Sequence, residues 1–174
     1  SRSAGSTGNS FQLGFDAATV NPLMGRDAVE PFLAHADRLT LVLALTSNPG
    51  AADFLAQGSL WHRIIERTMA WSGAGANAGF VVGATQADHL AEARARAADR
   101  VVLVPGIGAQ GGDLERAIAD GCAPGSEARL IVHLTRGVLP GPGDAARDPG
   151  AVIREKTKAW NARIQAARGK VGSG

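Results

Sequence analysis

Five short apolar runs, each followed by a helical pattern, set the strongest limit on how this chain can fold. The runs are nearly continuous in apolar character, which is typical of parallel strands that are buried on both faces. We predict strands over residues 17–21, 39–45, 79–83, 101–104 and 130–134, and helices over residues 26–36, 59–71, 86–97, 114–119 and about 149–168. The pattern therefore indicates an α/β protein with five βα units and a parallel sheet covered by helices.

Two architectures contain five consecutive βα units: an open sheet of the flavodoxin type, and the later part of an eight-stranded (β/α)8 TIM barrel. Every predicted strand ends in polar or glycine-rich residues, in the stretches T-V-N-P, T-S-N-P-G, G-A-T, P-G-I-G-A-Q-G-G-D and H-L-T-R-G. A barrel carries its chemistry at the rim where many strands end, whereas an open sheet concentrates it at one switch point. The sequence therefore favours a partial TIM barrel, in which residues 1–174 form a single domain that lacks the first three βα units.

Composition and charge narrow the classes of partner. With 174 residues, 45% of them hydrophobic and 20% charged, the chain has the composition of a globular domain with one core. Its formal net charge is +2 and its basic residues are scattered, so we expect no nucleic-acid partner. A single cysteine, Cys122, and the lack of an apolar run long enough to span a bilayer favour a cytoplasmic location and no membrane partner.

The stretch V-V-L-V-P-G-I-G-A-Q-G-G-D at residues 101–113 has the layout of a phosphate-binding strand end. The four glycines between residues 106 and 112 allow positive φ angles and a close approach of the backbone to an anion. Free N–H groups at the start of the helix that Asp113 caps would add donors and a favourable dipole. An ordinary strand-to-helix turn is the alternative, although about one glycine would suffice for it.

Taken in order, the strand ends resemble those of the orotidine 5′-phosphate decarboxylases, in particular a bacterial subgroup. Sequences of that subgroup carry T-V-N-P, T-S-N-P-G, V-V-G-A-T, V-P-G-I-G-A-Q-G-G-D and a final R-G, and all five motifs occur here in that order. The resemblance extends from about residue 5 to the terminal helix. It implies a TIM-barrel lyase that converts orotidine 5′-phosphate (OMP) to uridine 5′-phosphate (UMP) and CO2 in pyrimidine biosynthesis, without a cofactor.

The resemblance also implies which residues hold the phosphate of the nucleotide. These positions are Gly108, Gln110, Gly111, Arg136 and Gly137. The guanidinium of Arg136 offers a fork of charged donors that suits phosphate oxygens. The alternative for Arg136 is an ordinary surface arginine on a loop.

Thr46 and Ser47 resemble the segment that contacts the pyrimidine ring in the family, where a hydroxyl group can both donate and accept. The alternative is that residues 47–50 form a turn that caps the following short helix, and both roles can coexist. Thr7 resembles the family threonine that reaches the site of a neighbouring subunit. That match implies a homodimer for the full-length proteins of the family.

One part of the family pattern is missing. Family members place an alternating Lys-Asp-Lys-Asp array around the scissile carboxylate, where one lysine protonates the carbon as carbon dioxide leaves. In the subgroup, the last part of this array comes from the segment D-A-K-R-G-D-I-G-S-T. Alignment of this chain on G-S-T at residues 5–7 puts Ser3 where the second aspartate of that segment belongs. The lysines of this chain, Lys156, Lys158 and Lys170, all fall in the last predicted helix. We therefore expect no catalytic residue in this chain and no turnover by the chain alone.

Two other functions stay open. One is a non-catalytic partial barrel that binds phosphate or a nucleotide, and the other is a different sugar-phosphate lyase of the same superfamily that differs at Ser47. A metal site is not expected, because His62 and His133 have no cysteine, histidine or carboxylate partner at ligand spacing.

Overall fold

The computed structural model describes residues 14–73, 77–85, 87–108, 112–122 and 129–171. In these residues five parallel strands alternate with five α-helices. The strands are β1 (Ala17–Val20), β2 (Leu39–Leu45), β3 (Ala78–Val82), β4 (Val101–Val104) and β5 (Leu130–Val132). The helices are α1 (Arg26–Leu33), α2 (Leu60–Ser72), α3 (Ala87–Ala97), α4 (Leu114–Gly121) and α5 (Pro149–Val171).

The sheet has the strand order β1-β2-β3-β4-β5, and every neighbouring pair is parallel. Each strand lies beside the next strand along the chain, as in a barrel, whereas a flavodoxin-type sheet changes direction at a switch point. This order confirms the predicted partial (β/α) barrel and excludes the open-sheet alternative. β1 and β5 are the edges of the described sheet.

One face of the sheet is covered by the helices and forms the core. Val20, Val42, Phe80, Val102 and Leu130 are paired in register across all five strands, and each is at most 7% exposed. Helix residues that belong to the same core include Trp61, Ile65, Leu90, Ile118 and Ala167. Burying apolar surface stabilises a fold by about 25 cal/mol per Å², so hydrophobic stabilisation is concentrated in the layer between the sheet and the helices.

The opposite face of the sheet carries a second apolar row. Leu43, Val81, Leu103 and Ile131 are paired in register across β2 to β5. These residues are not part of the core formed with the helices, and their exposure rises from 3% at Val81 to 40% at Ile131. In a barrel this face points inward, so the row forms the inner surface of the partial barrel.

The ends of α1 and α5 differ most from the predicted boundaries. α1 ends at Leu33 instead of residue 36. The side-chain amide of Asn77 donates to the carbonyl oxygens of Leu33 at 2.8 Å and His35 at 3.3 Å. The carbonyl oxygens of Leu33 and His35 therefore accept from the side chain of Asn77 instead of from a further turn of helix, and α1 ends early. α5 continues three residues past the predicted end, to Val171. None of the helices within the described ranges is both long enough and apolar enough to cross a membrane.

A buried arginine ties the ends of three elements together. Arg94 is 5% exposed, and its guanidinium donates to the carbonyl oxygens of Gly121 and Arg100 at 2.7 Å and of Ala98 and Arg129 at 3.0 Å. These oxygens belong to the end of α4, the turn after α3 and the residue before β5. Burial lowers the pKa of Arg94, but an arginine stays protonated in proteins, so all four contacts are charge-assisted hydrogen bonds.

Candidate functional site

A pocket of about 130 Å³ opens at the carboxyl ends of β2, β4 and β5. The loops that follow these strands supply its lining, which consists of Ser47, Pro105, Gly106, Ile107, His133, Thr135, Arg136 and Gly137. Residues distant in sequence meet here because parallel strands end at one edge of a sheet. The structure thus brings together three of the predicted substrate-binding residues, Ser47, Arg136 and Gly137.

The loop after β4 forms one wall of the pocket and is closed by its own hydrogen bonds. The N–H of Gly112 donates to the carbonyl of Gly106 at 3.2 Å, and the N–H of Gly108 donates to the carbonyl of Gly112 at 3.3 Å. φ is +95° at Gly106 and +76° at Gly108, a region that glycine adopts without strain. Gly108 is next to the pocket-lining residues, whereas the predicted Gln110 and Gly111 lie outside the described residues.

Gly112 was predicted to allow a positive φ angle, but its φ is not positive. The absence of a side chain at Gly112 instead allows close packing. A Cβ atom at this position would lie 2.6 Å from the Cβ of Ala84 and 2.9 Å from the carbonyl oxygen of Gly106. The N–H of Ala84 donates to the carbonyl of Pro105 at 2.9 Å. The end of β3 is therefore packed directly against the loop after β4, and this contact needs a residue without a side chain.

Asp113 caps α4, as predicted. Its Oδ1 accepts a hydrogen bond from the backbone N–H of Arg116 at 2.9 Å, which occupies one of the donors in the first turn. The guanidinium of Arg116 contacts Asp88 at 2.6 Å and Asp120 at 3.3 Å, and these hydrogen bonds raise the pKa of Arg116. The start of α4 is therefore less favourable for binding an anion than the sequence indicated. The carboxylate of Asp113 already occupies one N–H donor, and the charge of Arg116 is already paired.

Arg136 supplies the positive charge of the pocket. Its side chain is exposed, and it makes no hydrogen bond or ion pair with the other residues that the structure describes. Arg147, by contrast, contacts both Asp144 and Glu155. A guanidinium without a carboxylate partner keeps its N–H donors for a ligand. The pocket is therefore suited to an oxyanion such as a phosphate group.

The loop after β2 is held against the end of β3. The hydroxyl of Thr85 donates to the carbonyl of Ser47 at 3.0 Å, and a Cβ atom at Gly83 would lie 2.6 Å from the Cα of Ser47. The predicted turn forms, since Asn48 precedes a 3₁₀ turn at Pro49–Asp53, but the Asn48 side chain makes no capping hydrogen bond to it. Ser47 thus combines a place in the turn with a hydroxyl group at the pocket, which can donate and accept.

Thr46 lies at a different cavity from Ser47. This second cavity, of about 240 Å³, is lined by residues of the loops after β1 and β2, including Asn21 and Phe54. The hydroxyl of Thr46 donates to Oδ1 of Asn48 at 2.6 Å. Successive side chains of an extended chain point in opposite directions. The structure therefore separates two residues that were predicted to contact the same ring.

His133 and Thr135 line the pocket although they were not predicted as site residues. Nε2 of His133 lies 3.4 Å from Oγ1 of Thr135. The backbone N–H of His133 donates to the carbonyl of Val104 at 3.1 Å, which holds the end of β5 against β4. Both residues belong to the polar H-L-T-R-G stretch after β5, and that position at a strand end was the feature that could have identified them.

The structure shows no metal site around His62 among the residues that it describes. His62 has a carboxylate partner that sequence spacing did not show, because its Nε2 is 3.1 Å from Oε1 of Glu92, across the contact between α2 and α3. Within the described ranges, no group of three or more His, Cys, Asp or Glu side chains is placed to hold a metal ion. Thr7 lies outside the described residues.

The chain is similar in sequence to one family of proteins. A model of the orotidine 5′-phosphate decarboxylase / HUMPS family matches residues 3–148. The orotidine 5′-phosphate decarboxylase of Haloarcula marismortui is 48% identical over 136 residues, which cover 75% of this chain and 48% of that protein. The enzyme of the same name from Thermomicrobium roseum is 47% identical over 133 residues, covering 73% of this chain and 47% of the relative. The chain thus spans about half the length of the curated relatives it matches.

Solved structures show the same similarity. The OMP decarboxylase of Leishmania donovani superposes with a TM-score of 0.71 at 34% identity, over 90% of this chain and 59% of that chain. The UMP synthase of Leishmania donovani superposes with a TM-score of 0.72 at 38% identity, over 90% of this chain and 34% of that chain.

Proposed function

Since the chain belongs to the orotidine 5′-phosphate decarboxylase / HUMPS family, we propose that it carries the phosphate- and pyrimidine-binding side of an OMP decarboxylase. The observation that carries this proposal is the pocket in which three groups meet: the guanidinium of Arg136, which has no ion-pair partner among the described residues, the glycine turn after β4 and the hydroxyl of Ser47. The ligand would be OMP or its product UMP.

The proposed roles follow from the chemistry of the lining. Arg136 and the backbone of Gly137 and Gly108 hold the phosphate, with Gln110 and Gly111 completing the loop. A charged, planar donor beside glycine backbone is a favourable arrangement for phosphate oxygens. Ser47 contacts the pyrimidine ring from the opposite wall, and Thr46 supports the loop through Asn48.

We propose that the chain alone binds the nucleotide without decarboxylating it. Decarboxylation breaks the carbon–carbon bond to the carboxylate, leaves the electron pair on the ring carbon and requires a proton there. All lysines of the chain, Lys156, Lys158 and Lys170, lie on α5. Lys156 contacts Asp144 at 2.7 Å and donates to the carbonyl of Leu139 at 2.9 Å, so it is engaged away from the pocket lining.

We further propose a cytoplasmic location, which the single cysteine supports. Residues 1–174 would be the C-terminal part of a decarboxylase domain that acts as a homodimer, with Thr7 near the partner's site. The family membership supports this assignment.

Titration calorimetry of the chain with UMP tests the proposed binding. We expect Arg136→Ala to weaken UMP binding roughly 10- to 100-fold, because hydrogen bonds to charged groups contribute about 1.5–3 kcal/mol. Arg67 is an exposed arginine on α2. Arg67→Ala removes the same charge but should leave the affinity within about twofold. Equal losses in both variants would show a general charge effect and contradict the assignment of Arg136.

Two companion measurements separate the alternatives. Ribose 5-phosphate and inorganic phosphate should bind more weakly than UMP, whereas equal affinities would favour a general phosphate-binding barrel. The orotate absorbance of OMP should not decrease in the presence of the chain. Turnover above background would contradict the expected lack of catalysis.

A further inference from the structure

Trp160 of α5 contacts both of the loops that form the anion pocket. Its indole Nε1–H donates to the carbonyl oxygen of Gly137 at 3.1 Å. The far edge of the ring lies against Gly108, where a Cβ atom would be 2.9 Å from Cζ2 of Trp160. A Cβ atom at Gly137 would be 3.2 Å from the indole nitrogen. One side chain therefore spans the loop after β4 and the loop after β5, and neither loop has room for a side chain at the contact.

We infer that Trp160 is a positioning residue for the anion pocket, which holds the glycine turn after β4 and the Arg136 loop at a fixed separation. Arg136 directly precedes Gly137, so the hydrogen bond to the Gly137 carbonyl restrains the backbone from which the guanidinium extends. A site built from two loops binds more tightly when both are in place before the ligand arrives, because less ordering accompanies binding. This inference rests on the proposed binding of phosphate at the pocket.

The indole ring is itself fixed by its surroundings. The guanidinium carbon of Arg163 lies 4.2 Å from the centre of the ring, in a cation–π contact. Trp160 is half-buried and packs against the core between α5 and the sheet. α5 therefore holds the indole in place, and the indole in turn contacts both loops. Trp160 lies beyond residue 148, where the match to the family model ends.

The affinity for UMP in the full chain provides the first test. Trp160→Ala removes the contacts to both loops and should weaken UMP binding roughly tenfold. Trp160→Phe keeps an aromatic ring against Gly108 but lacks the Nε1–H donor, so we expect a loss of roughly fivefold, the equivalent of one hydrogen bond. The matched control is Ile164→Ala, one turn further along α5 and packed on the same core. It should lower the melting temperature but leave the affinity within about twofold.

Two results of that titration would overturn the inference. One is an unchanged affinity in Trp160→Ala. The other is a loss of affinity in Ile164→Ala as large as that in Trp160→Ala, because the effect would then reflect stability alone.

A second test needs no ligand. Gly137→Ala places a methyl group against the indole nitrogen, and amide NMR of the full chain can show whether the change reaches Gly108. We expect the Gly108 amide signal to shift in the parent background and to stay unchanged in the Trp160→Ala background. A shift of the same size in both backgrounds would overturn the inference. If the parent chain does not bind UMP, the proposed function fails, and this coupling experiment still decides whether Trp160 joins the two loops.

Discussion

Ser47 reaches the pocket only because Gly83 has no side chain. The backbone of Ser47 lies over Gly83 so closely that a Cβ atom would come within 2.6 Å of both its N and its Cα. We therefore expect Gly83→Ala to displace the loop after β2 and to destabilise the protein by about 1–3 kcal/mol, the usual effect of overpacking. Urea denaturation measures this change, and UMP binding should weaken in parallel.

Gly143→Ala provides the matched control for that substitution. Nothing lies within 4 Å of a Cβ atom at Gly143, so its stability should stay within about 0.5 kcal/mol of the parent. If Gly83→Ala proved as harmless as Gly143→Ala, the close contact between Ser47 and β3 would be wrong.

Asp144 gives the stability of the loop before α5 a dependence on pH. Its carboxylate accepts a hydrogen bond from the N–H of Gly141 and contacts Lys156 and Arg147, and these interactions lower its pKa from 3.8 to about 2. A carboxyl group with a lowered pKa stabilises the fold when it is ionised, so its contribution is complete above about pH 4 and is lost as the pH falls toward 2.

The melting temperature as a function of pH tests this dependence. Asp144→Asn should lower the melting temperature at neutral pH and make it less sensitive to pH between about 4 and 2. Asp53→Asn changes an exposed carboxylate on the turn after β2 and should leave the profile of the parent unchanged. A parent-like profile for Asp144→Asn would show that these contacts do not stabilise the fold.

At the scale of the elements, Arg94 joins α3 to the end of α4 and the start of β5. Replacing it with methionine keeps much of the volume but leaves buried and partly buried carbonyl oxygens without their donor. We expect Arg94→Met to destabilise the protein by about 3 kcal/mol, measured by chemical denaturation. Arg96→Met, on the same helix but in ion pairs with Glu92 and Glu66 at the surface, should lose less than about 1 kcal/mol. Similar losses in the two variants would contradict a special role for Arg94.

The elements that sequence predicts well are those determined by their own neighbours along the chain. β2 and β4 have the predicted bounds, because an apolar run ends there in polar or glycine-rich residues. The end of α1 is different, because the amide that accounts for it belongs to Asn77, 44 residues beyond Leu33. No local pattern contains that contact.

The residues at the pocket also fall into those that the sequence predicts and those that it does not. Ser47 and Arg136 could be predicted from motifs that lie at strand ends. The opposite directions of Thr46 and Ser47, and the contact of Trp160 with two loops, depend on how distant segments pack. Trp160 is in none of the strand-end motifs, so the sequence did not mark it as a pocket residue.

At the scale of the whole molecule, the sheet has one covered and one partly open face. Ile131 lies on the open face of the edge strand β5 and is 40% exposed. Exposed apolar surface on an edge strand favours association between chains. We expect the sedimentation coefficient of the chain to rise with concentration, and Ile131→Lys to reduce that rise.

Ile153→Lys is the control for this prediction, because Ile153 is similarly exposed, at 37%, but lies on α5. It should leave the concentration dependence unchanged. An equal effect of both lysines would mean that added charge, and not the open sheet face, governs the association.

The contact of Trp160 with both pocket loops also bears on the order in which the protein can become competent during synthesis. Ser47, Gly108 and Arg136 leave the ribosome before Trp160 does, since the chain is made from its N-terminus. A nascent chain can therefore pair its strands while the two loops still lack the indole between them. Among the described helices, the pocket is completed by α5, which is translated after the other four.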